Sequence, residues 1–464
     1  MADLLALSKL IADGVAAIQS KCDARNTPFP PLDSTYTPQS DAIRMEVIAD
    51  TLPIIAAANQ LIATLQVPQM YAVHMGCVLH ISAAWTTVTS GHVIEILREA
   101  GPQGAHVNDI AARNGMDPSK LARLLRICAT YHLFREVSPD VFTNNRISSA
   151  VDTGKSVDDI LAHPEDKHVG TTGSSTLAEI TTDYGKTAFY LPDVLLDPKT
   201  ASSEEVTETA FNRGFRTDLS WFKWLHQPEN AYRKKRFGLS MTGLSHIGNK
   251  KEIINGFDWA GLPEGSIIVD VGGGIGTCTE CIYDEYKHLK FVIQDREEVI
   301  ADTTEVWKAR RPDALISGAV TLQPHDFFTE QPVKNATVFF LRAILHDWPT
   351  AYAARILSHL RAAAGPHTTL VVADNIIRYA CPDEGPYQDI PGTETKSPPA
   401  PLLANYGVAS GLEYNFDLFM LAHFNAEERT IRRFVDLLGQ AGWKLDRVYR
   451  EPGDHFPRLI ASPA

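Results

Sequence analysis

The sequence has few cysteines, no long apolar run and no excess of positive charge. Its 464 residues include six cysteines, scattered too widely for the disulfide framework of a secreted domain. Charged or polar residues interrupt every apolar stretch before the roughly 18 residues needed to cross a membrane, and the first residues lack the pattern of a secretory signal. The net charge of −13 argues against nucleic acid as a partner. We expect a soluble cytoplasmic protein with reduced thiols and no membrane segment.

The length and composition predict two or three domains with a large core. Apolar residues make up 44% of the chain and charged residues 21%, as in ordinary globular proteins. We expect a mostly helical region over residues 1–150, a helical and aromatic connector over residues 151–265, and alternating strands and helices over residues 266–464.

The N-terminal region divides into helices and a winged helix. Residues 41–100 carry apolar side chains at spacings of three and four, which predicts several largely buried helices that form either a core or a subunit interface. Residues 92–149 read as a helix, a tight turn, a second helix and a short β-wing. Over residues 94–150, seven basic and six acidic residues give a net charge of about +1. That charge is too small to hold a phosphate backbone, so we expect a structural or interface module.

Aromatic residues crowd the connector. Phe211, Phe215 and Phe222 fall at helical spacing, which predicts one shared helix face that serves either the core or an apolar substrate pocket. The basic run at residues 233–236 predicts a solvated helix face.

The third region begins with a glycine cluster at the end of a predicted strand, within residues 266–277. Gly272, Gly274 and Gly276 give the spacing G-x-G-x-G, which predicts a strand that enters a ligand-binding turn. A dinucleotide fingerprint has its third glycine at the sixth position, where Thr277 stands here. The pattern therefore favours S-adenosyl-methionine over NAD as the ligand.

Polar residues follow the next predicted strands. Asp295 stands about 20 residues after the glycine cluster, where an acid can bind ribose hydroxyls. Asp326 and Phe327 stand where an adenine could be hydrogen-bonded and stacked. His346 and Asp374 end two further strands. Because the carboxyl ends of parallel strands share an edge, we expect one crevice, with a candidate base beside an orienting carboxylate.

These motifs resemble, in order, those of the S-adenosyl-methionine-dependent small-molecule O-methyltransferases of the plant caffeic-acid type, in the longer form common in fungi. The resemblance runs from about residue 94 to the C-terminus. It implies a doubly wound, Rossmann-like α/β methyltransferase sheet preceded by a helical and winged-helix dimerisation domain, and an intertwined homodimer. The motifs that carry it lie at residues 269–276, 294–295, 326–327, 340–348 and 425–430.

The resemblance also implies the site residues. His346 would be the general base on the acceptor hydroxyl, with Asp374 and Glu428 flanking its imidazole. No metal is expected, since the acids stand singly at separate strand ends. The residues that would hold the cofactor, S-adenosyl-methionine, are the three glycines with Asp295, Asp326, Phe327 and Arg342.

The chain departs from the family in three places. Asp374 stands where the family usually has glutamate and Arg342 where it usually has lysine, so each charge is kept while the geometry changes. Residues 378–406 form a segment rich in proline and glycine that is longer than a normal connector. It predicts a surface loop, either reaching over the pocket or merely inserted.

The energetics of deprotonation favour a phenolic or enolic acceptor on a small aromatic or secondary metabolite. Forming the anion of a phenol with a pKa of about 10 costs roughly 4 kcal/mol at pH 7, which a histidine can supply. An aliphatic alcohol with a pKa near that of water, about 15.7, would cost roughly 12 kcal/mol.

Two other functions stay open at this point. Pericyclases of the same fold keep the cofactor but polarise a substrate carbonyl, and residues comparable to those they use occur here as His132 and Arg296. The non-enzyme alternative is a winged-helix regulator that senses S-adenosyl-methionine, and the near-neutral wing argues against it.

Overall fold

The computed structural model describes residues 2–247, 250–394, 397–451 and 454–464. The chain forms two compact units, which we call the helical unit (Met1–Lys186 with Phe222–Ile247) and the sheet unit (Thr187–Trp221 with Gly248–Ala464). Residues 151–265, expected as one connector, are divided between the two units. The functional boundaries at residues 150 and 265 stay a prediction.

Helices dominate the first part of the chain, and strands and helices alternate in the last. Up to residue 186 the elements are α1 (Ala2–Arg25), α2 (Pro38–Glu46), α3 (Ile48–Leu65), α4 (Pro68–Cys77), α5 (Leu79–Ser90), α6 (Val93–Ala100), β1 (Ala105–His106), α7 (Val107–Asn114), α8 (Pro118–Thr130), β2 (Arg135–Ser138), β3 (Val141–Thr143), α9 (Arg146–Ser149), α10 (Val157–Ala162) and α11 (Ser174–Gly185). They continue with α12 (Leu191–Leu195), α13 (Ala210–Phe215), α14 (Trp221–Leu225), α15 (Ala231–Ile247), α16 (Lys250–Ile254), β4 (Ile267–Val271), α17 (Thr277–Glu285), β5 (Lys290–Asp295), α18 (Glu297–Arg310), α19 (Pro312–Ile316), β6 (Val320–Pro324), β7 (Val338–Arg342), α20 (Thr350–Ala363), β8 (Thr369–Ala373), α21 (Gly411–Phe424), α22 (Ile431–Gln440), β9 (Trp443–Tyr449) and β10 (Arg458–Pro463).

The winged helix predicted for residues 92–149 is confirmed. Helices α6, α7 and α8 pack on one core, and β1, β3 and β2 form a small sheet in that order. Asp117 caps α8 by accepting a hydrogen bond from the Lys120 amide at 2.9 Å. Asp140 takes a positive φ of 62° in the turn between β2 and β3, which makes the wing.

The prediction that the helices before the winged helix are largely buried is wrong for α3 and α4. Ile62, Met70 and Val73 leave about half or more of their surface exposed. Apolar spacing predicts an amphipathic helix, but it does not tell whether the apolar face packs against the same chain or against another one. Among the described helices, α3 has the length and mean hydropathy, 1.4, of a membrane span with 11% of that stretch buried, and one such helix is weak evidence for a membrane.

Two predictions about the connector are also wrong. Phe211 and Phe215 pack together in α13 at a ring distance of 5.0 Å, but Arg216 ends that helix with a φ of 52°, and Phe222 lies in α14. Three aromatic residues at helical spacing therefore do not share one helix. Nor is the basic run a fully solvated face, since the guanidinium of Arg236 is buried and paired with Asp183 at 2.8 Å.

The sheet unit contains the predicted α/β fold. Within the described residues its sheet has seven strands in the order β6-β5-β4-β7-β8-β10-β9. The pairs from β6 to β8 are parallel, whereas β10 runs antiparallel to both β8 and β9. Strand order reverses between β4 and β7, which is where open α/β sheets bind ligands.

Both faces of this sheet are covered, as its nearly continuous apolar strands require. Helices α20 and α22 pack on one face around Phe339 and Leu370, and Trp259 and Trp307 belong to the core on the other face. The sheet is therefore a rigid support for the loops that follow its strands.

The segment of residues 378–406 contacts the edge of the sheet. The Val448 amide on β9 donates to the Pro391 carbonyl at 2.8 Å. Gly392 has a φ of 83°, and a Cβ there would lie 1.7 Å from the Val448 carbonyl oxygen, so the contact requires glycine. Residues 395 and 396 lie outside the described residues. The rest of the segment is anchored to β9, and whether it also reaches over the pocket stays a prediction.

Candidate active site

The glycine cluster forms an open turn between β4 and α17. Gly272, Gly274 and Gly276 all have positive φ values, of 71°, 55° and 78°. A Cβ at Gly272 would lie 2.5 Å from Ile344 Cδ1, and one at Gly276 would lie 2.6 Å from Trp307 Nε1, whereas no atom lies within 4 Å of a Cβ at Gly274. The outer glycines are required for packing, and the middle one faces open space that a ligand can fill.

Asp295 sits at the end of β5 beside this turn. Its carboxylate accepts hydrogen bonds from the Gly274 amide at 2.9 Å and from the Arg296 amide at 2.8 Å. Burial raises the pKa of Asp295, although these backbone hydrogen bonds oppose the rise. Each carboxylate oxygen keeps a lone pair, so the group is positioned to accept further hydrogen bonds from a ligand.

The acid before the glycines, Asp270, is a residue that the sequence interpretation did not assign. It is fully buried and accepts a hydrogen bond from the Thr279 hydroxyl at 2.6 Å, and burial raises its pKa to about 6. Cys278 and Cys281 form a C-x-x-C sequence at the start of α17. Burial likewise raises the pKa of the Cys278 thiol to about 12, which disfavours redox chemistry there. Arg342 at the end of β7 lies near both groups, with its guanidinium 4.5 Å from the Phe456 ring.

Asp326 and Phe327 follow β6, the next strand of the sheet. The Asp326 carboxylate accepts a hydrogen bond from the Phe328 amide at 3.0 Å, which fixes the start of the loop. The Phe327 ring stands edge-on to Phe328 and to Trp348, at centroid distances of 4.9 and 5.8 Å. An acid and a held aromatic ring thus follow β6, and their contact with an adenine stays a prediction.

His346 lies in the 3₁₀ turn Leu345–Asp347 after β7. Its Nδ1 is 2.9 Å from Glu428 Oε1, and its Nε2 is 3.6 Å from Asp347 Oδ1. An ionised carboxylate can only accept, so the proton on Nδ1 is donated to Glu428 and Nε2 faces the other way. The imidazole is mostly buried, with 13% of the side chain exposed.

The charges around the imidazole perturb each other strongly. Burial alone lowers the pKa of His346, but the charges of Glu428 and Asp347 outweigh it and raise that pKa to about 10. Burial raises the pKa of Asp347 to about 7 and that of Asp374 to about 6, against the opposing charge of His346. Strongly shifted groups that meet at strand ends of one sheet are typical of a catalytic site.

Asp374 lies close enough to His346 for its charge to raise the pKa of the imidazole, and its role as a flanking acid stays a prediction. Its two carboxylate oxygens accept hydrogen bonds from the Ile344 and Leu345 amides, each at 3.2 Å. From the other side, Arg429 donates to the Leu345 carbonyl at 2.6 Å and to the Trp348 carbonyl at 2.7 Å. The backbone of the loop that carries the imidazole is therefore held by hydrogen bonds on both sides. Its amides donate to the carboxylate of Asp374, and its carbonyls accept from the guanidinium of Arg429.

The sequence interpretation missed two residues of this cluster, Arg429 and Asp347. Both lie inside motifs used for the resemblance, adjacent to Glu428 and His346 respectively. Their positions next to Glu428 and His346 were the only indication in the sequence, and such positions do not tell which side chains point toward the loop.

Family models and known relatives match this chain. The family model for the O-methyltransferase domain matches residues 191–388, and the model for the O-methyltransferase dimerisation domain matches residues 74–152. An O-methyltransferase of Armillaria gallica is 41% identical, with 98% of each chain covered. The 4-O-methyltransferase 1 of Phanerochaete chrysosporium is 39% identical, covering 96% of this chain and 95% of the relative.

Solved structures share the fold. The structure of LepI in complex with S-adenosyl-methionine covers 98% of this chain and all of its own, with a TM-score of 0.67 and 20% identity. The open glycine turn and the carboxylate of Asp295 at the end of β5 fit a nucleoside ligand of this kind. The chain therefore belongs to the O-methyltransferase family and is an enzyme that uses S-adenosyl-methionine as its cofactor.

Proposed function

We propose that this enzyme transfers a methyl group to a phenolic or enolic hydroxyl of a small aromatic or other secondary metabolite, with His346 as the general base. One observation carries the proposal: Glu428 accepts the Nδ1 proton at 2.9 Å, so that Nε2 is the nitrogen left to take a proton. The backbone clamp by Asp374 and Arg429 supports the same role, because a base must be held within a fraction of an ångström of its productive position.

The roles of the other residues follow from their places in the sheet. The glycine turn and the strand-end residues Asp295, Asp326, Phe327 and Arg342 would bind and orient the cofactor. When bound, the cofactor supplies an electrophilic methyl group on a sulfonium. Asp374 and Arg429 orient the loop, and Glu428 fixes the imidazole.

The raised pKa of His346, about 10, matches that of an ordinary phenol, also about 10. Proton transfer from a phenol to the neutral imidazole is therefore close to balanced in free energy. The same match predicts that activity rises with pH, since the base is neutral in a larger fraction of molecules at higher pH.

We also propose that the active form is a cytoplasmic homodimer. Support comes from the dimerisation-domain match over residues 74–152 and from the exposed apolar side chains of α3 and α4. A second copy of the chain would cover surface of this kind, which soluble monomers rarely expose over a wide area.

Replacing the base tests the function. We expect His346→Ala to reduce methyl transfer from S-adenosyl-methionine across a panel of phenols by about 10³-fold, while calorimetry gives an unchanged cofactor dissociation constant. His367→Ala, at an exposed histidine before β8, is the matched control and should keep full activity. Retention of a tenth or more of the activity by His346→Ala would contradict the assignment.

Adding polyketide-type substrates to the panel tests the pericyclase alternative. His132 lies in the helical unit with its side chain exposed, and Arg296 lies in the sheet unit and pairs with Glu298 at 3.0 Å. Mass analysis with a labelled methyl donor separates the two functions. A rearranged polyketide-type substrate that carries no label would replace the methyl-transfer proposal.

A further inference from the structure

Two arginines follow strands at the edge of the sheet where His346 lies. Strands β8 and β9 both run antiparallel to β10, so they point the same way and their carboxyl ends meet at one edge. Because β7 is parallel to β8, this is also the edge from which the loop of His346 emerges. Arg378 follows β8, and Arg450 comes directly after β9.

The backbone of the first arginine is tied close to the proposed base. Ile376 forms a bridge with Arg429, and the Ile377 amide donates to the Arg429 carbonyl at 3.2 Å. On the other side, the Tyr414 hydroxyl on α21 donates to the carbonyl of Arg378. Arg378 thus lies beside the chain that carries Glu428, the partner of the imidazole.

The charges at this place do not balance. Glu413 on α21 faces both Arg378 and Arg450, and burial raises its pKa although the two arginines oppose the rise. Burial, followed by the charge of Arg378, lowers the pKa of Arg450 to about 10. Asp454 also faces Arg450, but its carboxylate already binds Arg458 at 3.0 Å.

Arg450 has unused hydrogen-bonding capacity. Its Nε is buried and has no hydrogen-bond partner among the described residues. A buried guanidinium N–H without a partner is unfavourable, and a carboxylate is the group that satisfies it best, through paired charge-assisted hydrogen bonds. Two further acids lie nearby, but Glu428 is paired with His346 and Asp454 with Arg458. The two arginines therefore share Glu413 among the described residues, and a further negative charge beside them would be favourable.

We infer that Arg378, Arg450 and Glu413, which we call the arginine pair and its acid, form a subsite that binds a carboxylate on the methyl acceptor. The inference deepens the proposed function and rests on it, because it places the acceptor at the edge of the sheet that carries His346. It narrows the acceptor to aromatic acids. The segment of residues 378–406 begins at this subsite, so that insertion contributes to acceptor choice through its first residue.

A matched pair of probes tests the subsite. The probes are 3,4-dihydroxybenzoate and 3,4-dihydroxybenzamide, which have nearly the same shape and differ in charge. Calorimetry on the full chain saturated with S-adenosyl-homocysteine should give the benzoate about tenfold tighter binding than the benzamide. Arg450→Gln should abolish that preference and leave benzamide binding unchanged.

Two further variants keep the test decisive if Arg450→Gln folds poorly. Glu413→Gln removes the competing acid and should strengthen benzoate binding severalfold. Arg447→Gln, at an exposed arginine on β9, the strand that Arg450 follows, is the charge-matched control and should keep the wild-type preference. Equal binding of the two probes by the wild-type protein, or an equal loss of both in Arg450→Gln, would overturn the subsite.

Methylation assays separate this failure from failure of the proposed function. If neutral phenols are methylated normally and no preference for the benzoate exists, the subsite is wrong and the function stands. If the preference exists and the probes bind but no phenol is methylated, the proposed function is wrong and the anion site remains.

Discussion

Two buried ionic clusters, one in each compact unit, are built from similar residues but are balanced differently. In the helical unit, Glu179 is surrounded by Lys167, His168 and Arg236, and its second oxygen lies 2.8 Å from the His168 ring. In the sheet unit, three acids surround the single imidazole of His346. In the first cluster the basic side chains outnumber the acid that they surround, and in the second the acids outnumber the imidazole that they surround.

The pKa values show the consequence of this difference. Burial would raise the pKa of Glu179, but its hydrogen bond with His168 and the charge of Lys167 outweigh burial and lower that pKa to about 2. In the second cluster, burial raises the pKa of Asp347 to about 7, and Glu428 Oε2 is buried without a hydrogen-bond partner among the described residues. Arg236 Nε in the first cluster also lacks a hydrogen-bond partner among the described residues, so the two clusters differ in charge balance and not in hydrogen bonding. Strongly raised carboxyl pKa values are typical of a site that exchanges protons.

The largest effect is expected from a substitution that disrupts the second cluster. Glu428→Gln should lower kcat/KM by about 10³-fold, because the imidazole loses the carboxylate that fixes its tautomer and orientation. The free energy of unfolding should change little, since the cluster keeps two other acids. Steady-state kinetics and urea unfolding measure the two quantities. Glu305→Gln, at an exposed acid of the sheet unit, is the control and should change neither quantity. A fall in the stability of Glu428→Gln without a fall in its rate would contradict the distinction between the two clusters.

The next largest effect is expected from a substitution that disrupts the first cluster. Glu179→Gln should lower the free energy of unfolding by about 3 kcal/mol, because it leaves the ammonium of Lys167 buried without its counter-charge. Activity per folded molecule should stay at the wild-type level. Glu165→Gln, at an exposed acid of the same unit, should change stability by less than about 0.5 kcal/mol. Denaturant unfolding of both variants checks this, and equal small effects would show that the network adds no stability.

The smallest expected effect is a shift in the pH dependence of kcat/KM when the second cluster loses one acid. A base is active when neutral, so kcat/KM of the wild-type enzyme should rise with pH toward the raised pKa of His346, about 10. Glu428→Gln removes the largest charge that raises this pKa, so the rising limb should move to lower pH. Both enzymes are measured from pH 6 to 10 with the same acceptor, so the acceptor's own titration affects the two kcat/KM profiles equally. A limb at the same pH in both enzymes would mean that another group titrates.

Local patterns predicted much of this architecture. The winged helix of residues 92–149 and the glycine turn after β4 were predictable because caps, turns and apolar spacing act over a few residues. The position of His346 at a strand end was also predictable, since the carboxyl ends of parallel strands share an edge.

Long-range pairing was not predictable in this way. Asp374 binds amides 30 and 29 residues before it, and Arg429 binds carbonyls more than 80 residues before it. Sequence spacing carries no signal for such contacts, so the hydrogen bonds from the loop amides to Asp374 were not predicted. The same limit applies to Arg236, whose burial depends on α11 and not on its own basic run.

The contact between Gly392 and Val448 has a consequence for the behaviour of the protein in concentrated solution. Strand β9 is the last strand of its sheet, and a free strand edge offers amides and carbonyls on which other chains can add strands. The Pro391 carbonyl occupies one of those amides, and the glycine lets the chain press flat against the strand. The segment of residues 378–406 thus blocks the addition of another strand at this position of β9, a form of cover that edge strands of natural proteins commonly have.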